Sequence, residues 1–261
     1  MELKNILVVM PHSGIIIPHE IPFDALSVDF PRLMRNVDWY TNWLYDFRDI
    51  LGNQQFSFPY CSLILETNRH PDQLEESVPL KDALGEQIYR PGYEPSPDLR
   101  KTLSEKYLKS FHRDIAKKIS EGIIFMLDAH STVSAQGVTS NQIELMNFQT
   151  VKQSGEEVHF CPNIFIETYA NELIKELPGV KITVNESGYH KVYGHVCGEH
   201  SVNAMTRVDN QAPAILQETN QHLYMNDNGT LNIEAIEALR RAFAQALLNM
   251  LEKVCHYPSG K

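Results

Sequence analysis

No apolar stretch in these 261 residues reaches the roughly 20 needed to cross a membrane. The opening residues Met1-Glu2-Leu3-Lys4-Asn5 lack the charged, long-apolar and small-residue regions of a secretory leader. Basic clusters are missing too, apart from short pairs such as Lys117–Lys118 and Arg240–Arg241. With 23 Lys and Arg against 33 Asp and Glu the formal net charge is −10, so nothing offers a phosphate backbone a concentrated positive face. Neither nucleic acid nor a membrane is an expected partner. Cysteine is sparse: Cys61, Cys161, Cys197 and Cys255 form no C-x-x-C pair and read as reduced, mostly buried thiols of a cytoplasmic protein. Also absent are a G-x-S-x-G elbow, an H-E-x-x-H helix, a Walker loop and a G-x-G-x-x-G turn, which removes the usual serine-hydrolase, zincin and nucleotide-binding templates. Ser13 and Ser131 adjoin histidines in sequence, but adjacency at a strand end does not orient a nucleophile toward its base.

What remains is an ordinary globular composition, 43% apolar and 21% charged, in a chain short enough for one α/β domain over 1–261. Ile6–Met10 (ILVVM) is a buried-strand run ending at Pro11. Apolar residues at helical spacing from Asp38 to Ile50 predict a helix that stops at Gly52. Phe56–Leu65 reads as one or two strands interrupted at Pro59. Residues 70–97, rich in proline, are expected to be an irregular lid or binding loop. Asp98 is the expected N-cap of a helix running to about Ser120. Strands are then expected at Ile123–Leu127, Gln142–Met146, Val180–Asn185 and Pro213–Glu218, helices at Asn163–Leu177 and from Asn232 to about Val254, and a loop over Gly188–Asn210. Such alternation predicts a mostly parallel sheet covered on both faces.

Polar groups with catalytic potential recur where these apolar runs end: His12, Asn68 and Arg69, Asp128 and His130, and Glu218. In open α/β sheets ligands bind beyond the strands' carboxyl ends, so the separate segments can converge on one site. Two neutral imidazoles and one carboxylate would bind zinc and leave a position open for water, which makes His12 and His130 candidate ligands. For the carboxylate, Asp38, Glu20 and Asp128 all qualify. Asp128 and His130, two residues apart in a strand, share a face, so Asp128 can also orient a neighbouring ligand. Glu218 emerges from an apolar strand as a candidate general base. The Arg69 guanidinium beside Asn68 suits a substrate carboxylate, the plainer alternative being an ion pair with Glu66 or Asp72.

These residues, taken with Pro11-His12-Ser13-Gly14, Val37-Asp38-Trp39, Leu44-Tyr45-Asp46-Phe47, Asn68-Arg69, Phe111-His112, Asp128-Ala129-His130-Ser131 and Gln217-Glu218-Thr219-Asn220 with Leu223-Tyr224-Met225, resemble the N-formylglutamate amidohydrolase family. The resemblance runs through most of the chain in the expected order. It implies a three-layer α/β/α fold with a mixed, mostly parallel sheet, like that of the zinc peptidases and aspartoacylase-like hydrolases. It further implies one zinc ion on His12, Asp38 and His130, a carboxylate clamp of Asn68 and Arg69, and Glu218 as the base. The substrate implied is a small, acidic N-acyl amino acid such as N-formylglutamate. His112 has a family counterpart and reads as a residue that packs the helix or supports the site from behind its ligands. Two positions depart from the family pattern: Leu216 stands where Gln is common two residues before the base, and Gln221 where Arg is common three after it. The alternatives kept open are a fold-sharing binding protein without catalysis and a carboxypeptidase-like peptidase. Glu144 and Glu199 are the fallback acids should Glu218 not serve.

Overall fold

The computed structural model describes residues 5–255 apart from 135–136, 152–153 and 192–193, and the side chains of Asn36, His190 and Cys255 also lie outside what it describes. Among the described residues six strands form one sheet: β1 (Ile6–Met10), β2 (Gln54–Ser57), β3 (Phe125–Thr132), β4 (Gln142–Met146), β7 (Lys181–Val184) and β8 (Ala214–Asn220). Their spatial order is β2-β1-β3-β8-β4-β7, and every neighbouring pair is parallel except β4 with β8. A separate antiparallel ribbon joins β5 (Phe148–Thr150) to β6 (Glu157–His159).

The sheet is buried on both faces, which is why β1 is a continuous apolar run rather than an alternating one. Leu7 and Val9 pack to one side with Phe111, Ile115 and Ile119 of the Lys109–Ser120 helix. Ile6, Val8 and Met10 pack to the other with Phe165 and Tyr169 of the Asn163–Glu176 helix and Phe243 and Leu247 of the Ile233–Cys255 helix. The expected three-layer α/β/α arrangement with a mixed, mostly parallel sheet is therefore present. Cys61, Cys161 and Cys197 are buried free thiols, and no helix among the described residues is long and apolar enough to cross a membrane.

Local chemistry moved several expected boundaries. The Asp38–Ile50 helix is two single turns, Thr41–Leu44 and Arg48–Leu51. Tyr40 enters the first at φ 61°, and Asp46 accepts from the backbone N–H of Arg48 at 3.2 Å, closing a turn where a continuous helix would pass. The next helix is capped by Ser96, whose hydroxyl accepts from Leu99 N at 3.2 Å, and not by Asp98. Pro97 at the first helical position fixes that start. Residues 58–65 form no second strand beyond isolated bridges to Gly14 and Ile16. The Gly188–Asn210 stretch holds a helix, His195–His200. Residues 70–97 contain a short helix, Leu74–Ser77, and are pinned by buried Val78, Ile88 and Tyr89. Asn232 caps the last long helix as expected, accepting from Ala235 N at 3.0 Å.

Candidate metal centre and cleft

β1, β3 and β8 run in the same direction, so their carboxyl ends reach one edge of the sheet together. His12 follows β1, while β3 continues far enough to carry Asp128 and His130 within the strand. The parallel register sets His130 beside Glu218, and the antiparallel β4 sets Glu144 on the other side of Glu218. Asp38 arrives from the turn after Met34–Asn36 and is buried. Its Oδ2 lies 3.4 Å from His130 Nδ1 and 3.7 Å from His12 Nδ1, and it accepts from the backbone N–H of Ser131 at 3.1 Å. The donor atoms of His12, Asp38 and His130 all lie within 4.8 Å of one another. Two ligands of one tetrahedral zinc ion stand about 3.3 Å apart, given bond lengths of about 2.0–2.1 Å. The trio is therefore close to ligand spacing.

The far nitrogens of both imidazoles are spoken for. His12 Nε2–H donates to Glu66 Oε1 at 2.6 Å, and His130 Nε2–H donates to Asp128 Oδ1 at 3.0 Å. An ionised carboxylate can only accept, so each ring donates from Nε2, and Nδ1, the atom turned toward Asp38, is the position left for a second proton or for a metal. Glu66 is suited to that part. Burial alone would raise its pKa, but the charges of His12 and Arg69 and hydrogen bonds from His12 and Asn68 N outweigh burial and hold it at about 2. His130 is pushed well above its ordinary value: burial opposes this, yet Asp128, Asp38 and Glu218 surround the ring with negative charge. A cation at Nδ1 answers the same field that favours the proton. Glu218 is driven well above the usual carboxylate range by burial, with Asp38, Asp128 and Glu144 adding to the effect and His130 opposing it. Its Oε2 and the Oδ2 of Asp128 are buried without a protein hydrogen-bond partner.

The other acids are committed elsewhere. Glu144 is fully buried, accepting from Glu186 N at 2.7 Å and Ser187 N at 2.9 Å and from the Thr183 hydroxyl, so it fixes a turn. Glu20 binds Lys106 at 2.7 Å and Tyr107 at 2.9 Å, outside the cleft. Glu199 lies on the His195–His200 helix and does not line the cleft either.

A cleft of about 670 Å³ opens over the trio, lined by His12, Asp38, Asn68, Arg69, His130 and Glu218, with Pro79 and residues 81–84 also lining it. Asn68 Oδ1 accepts from Val196 N at 3.1 Å, so the residue anchors the neighbouring turn as well as facing the cleft. Arg69 donates to Asn68 O at 2.7 Å, and its Nε lies 3.7 Å from Glu76 rather than pairing with Asp72, which holds Lys109 at 2.7 Å. His112 is a packing residue, its Nε2–H donating to Thr67 O at 2.9 Å beneath the Asn68 segment. Two cleft residues escaped sequence reasoning. Glu66 carried the same strand-end signal that singled out Asn68 but was weighed only as a partner for Arg69. Tyr189, whose hydroxyl meets Thr132 in the cleft wall, gave no periodic or motif signal.

An α/β/α protein with histidines and carboxylates gathered at the ends of its parallel strands is the class this geometry defines. The chain belongs to the N-formylglutamate amidohydrolase family, whose model matches residues 4–225. It is 28% identical over 138 residues to an N-formylglutamate deformylase of Pseudomonas aeruginosa, covering 48% of this chain and 51% of that protein. A Pseudomonas putida N-formylglutamate deformylase is 26% identical over the same length and coverage. The matched region thus spans about half the length of these curated relatives. The crystal structure of an N-formylglutamate amidohydrolase from Ralstonia eutropha JMP134 superposes with a TM-score of 0.71 at 17% identity, covering 98% of this chain and 95% of that one. A gene product of Agrobacterium tumefaciens does so with 0.63 at 14%, covering 97% and 89%. At such identities the likeness is one of fold.

Proposed function

We propose that this chain is a zinc-dependent amidohydrolase that cleaves the amide bond of a small N-acyl amino acid of the N-formylglutamate kind. The observation that carries this reading is the placement of Nδ1 of His12, Nδ1 of His130 and Oδ2 of Asp38 around one point, beside the unpartnered carboxylate of Glu218. The names of the Pseudomonas relatives supply the reaction class. A zinc ion on the trio would supply Lewis acidity, lowering the pKa of water and polarising the amide carbonyl.

The chain's own residues do the rest. Glu218 accepts a proton from the attacking water at its carboxylate and delivers it to the leaving nitrogen as the C–N bond breaks. Burial favours the first act, because a carboxylate whose pKa is raised is the stronger base and gains by becoming neutral. Arg69 and Asn68 hold the substrate carboxylate, which fixes the scissile carbonyl over Glu218 and removes most of the entropic cost of the encounter. Glu66 and Asp128 keep the two imidazoles in the tautomer that ligation requires. The test is hydrolysis of a panel of N-formyl and N-acetyl amino acids by protein stripped of metal and then reloaded with one equivalent of zinc. Turnover restored by zinc and absent after chelation is expected. Turnover indifferent to metal, or absent with zinc bound, contradicts the reading.

A further inference from the structure

Resting on that reading, we infer that the cleft holds an apolar subsite for the substrate's amino-acid side chain, bounded by Leu216, Met146 and Gly194 beside Asn68. N-formyl amino acids with apolar side chains are accordingly better substrates than N-formylglutamate. Leu216 precedes Glu218 by two residues on β8 and so lies on the same face of the sheet, about 7 Å further from the strand end. Its cross-strand neighbour is Met146, and both residues line the cleft. Gly194 closes the third side: a Cβ there would sit 3.3 Å from the amide atoms of Asn68 and 3.5 Å from Leu216 Cδ1. The backbone does not demand glycine, since φ is −100° and ψ 106°. What the missing side chain permits is close approach of this backbone to Asn68 and to the apolar wall, so any side chain there would crowd both.

Charge points the same way. Asp38, Asp128, Glu144 and Glu218 crowd the interior of this region, so a second substrate carboxylate buried there without a cation beside it is disfavoured. Gln221 cannot serve, being neutral, with its amide N–H groups donating to Val37 O at 3.0 Å and Ser131 Oγ at 3.2 Å. Arg35 and Lys81 line only the exposed rim, where Glu75, Glu76 and Asp82 also stand.

The experiment compares kcat/KM for N-formyl-leucine and N-formylglutamate in zinc-loaded wild type, Leu216→Gln and Gly194→Ala. The ratio between substrates is the readout, so a general loss of fold or metal cancels. About a tenfold or larger preference for the leucine compound is expected in the wild type, and each substitution should lower that ratio about tenfold. A preference for glutamate, or a ratio that neither substitution moves, overturns the subsite. Calorimetric binding of the same two compounds to zinc-loaded Glu218→Gln reads the subsite without turnover. Tighter leucine binding in a chain that hydrolyses no panel member would therefore defeat the amidohydrolase reading and leave the subsite standing, and equal or tighter glutamate binding would defeat the subsite.

Discussion

Two groups of histidines in this molecule live in opposite electrostatic worlds. His12 and His130, with ring centroids 4.8 Å apart, are interleaved with Glu66, Asp38, Asp128 and Glu218. Behind Asn68, His112, His195 and His200 pack against one another, His112 and His195 with centroids 4.6 Å apart, and the partners found for His112 are a carbonyl and another imidazole. Thr67 O can only accept, so His112 donates from Nε2 and accepts at Nδ1 from His200 Nε2–H at 3.0 Å, which leaves His200 Nδ1 buried and unpaired. Burial and mutual repulsion hold these three at about 3, while carboxylates push His130 well above its ordinary value despite burial. Composition cannot separate the two groups. What separates them is whether acids arrive from other strands, and the difference teaches that here the carboxylates define the centre and the histidines inherit their role from them.

The strongest way to break that contrast is to remove the acids on the working side. Glu218→Gln keeps size and much of the hydrogen bonding but cannot accept a proton, so turnover should fall by about 10²–10⁴ with fold and zinc content retained. Steady-state kinetics beside metal analysis checks this, and near-normal turnover would remove Glu218 from the mechanism. Arg69→Ala should weaken productive binding of acidic substrates by about 2–5 kcal/mol, seen in kcat/KM, with zinc content unchanged. Equal losses for an amide lacking the carboxylate would point to a structural part for Arg69. Glu66→Gln strips His12 of its ionised partner and should lower zinc affinity or activity by about 10–100-fold, measured by competition with a chelator.

Much of this contrast was legible in the sequence, and the reason is geometric. Parallel strands end at a common edge, so polar residues terminating apolar runs, such as His12, His130 and Glu218, could be gathered without knowing the strand order. Apart from the family resemblance, nothing in the sequence separates Asp38 from Glu20, because both precede or sit in irregular segments and only packing puts Glu20 beside Lys106. Glu66 was hidden by its neighbour Arg69, which offers an obvious local partner for any acid. The antiparallel turn of β4, which sets Glu144 against Glu218, leaves no local signature, since a fully buried strand reads the same in either direction. The helix expected from Asp38 to Ile50 failed because apolar spacing carries no information about a left-handed residue at Tyr40.

A smaller effect sharpens the other side of the comparison. The unfolded chain protonates its histidines below about pH 6.5, whereas folded His112, His195 and His200 resist protonation down to about 3. What these three contribute to the stability of the zinc-free protein is therefore complete above pH 6.5 and is lost as pH drops toward 3, by up to about 1.4 kcal/mol per pH unit for each such group. Glu66, held at about 2, adds to the slope only below about 4.5. Glu218, driven well above the usual carboxylate range, acts in the opposite sense over part of this pH interval. Urea unfolding between pH 6.5 and 4.5 is therefore read as the difference between wild type and His200→Gln, which should flatten the slope there. An unchanged slope would mean that His200 is not the buried neutral group described.

The central claim is that the acid-fed pair, and not the neutral cluster, holds the metal. Calorimetric zinc titration of stripped wild type, the His12→Ala/His130→Ala double variant and His112→Asn tests it most directly. One zinc per chain is expected in the wild type and in His112→Asn, and none at comparable affinity in the double variant. Full zinc binding by the double variant, or its loss in folded His112→Asn, would contradict the account.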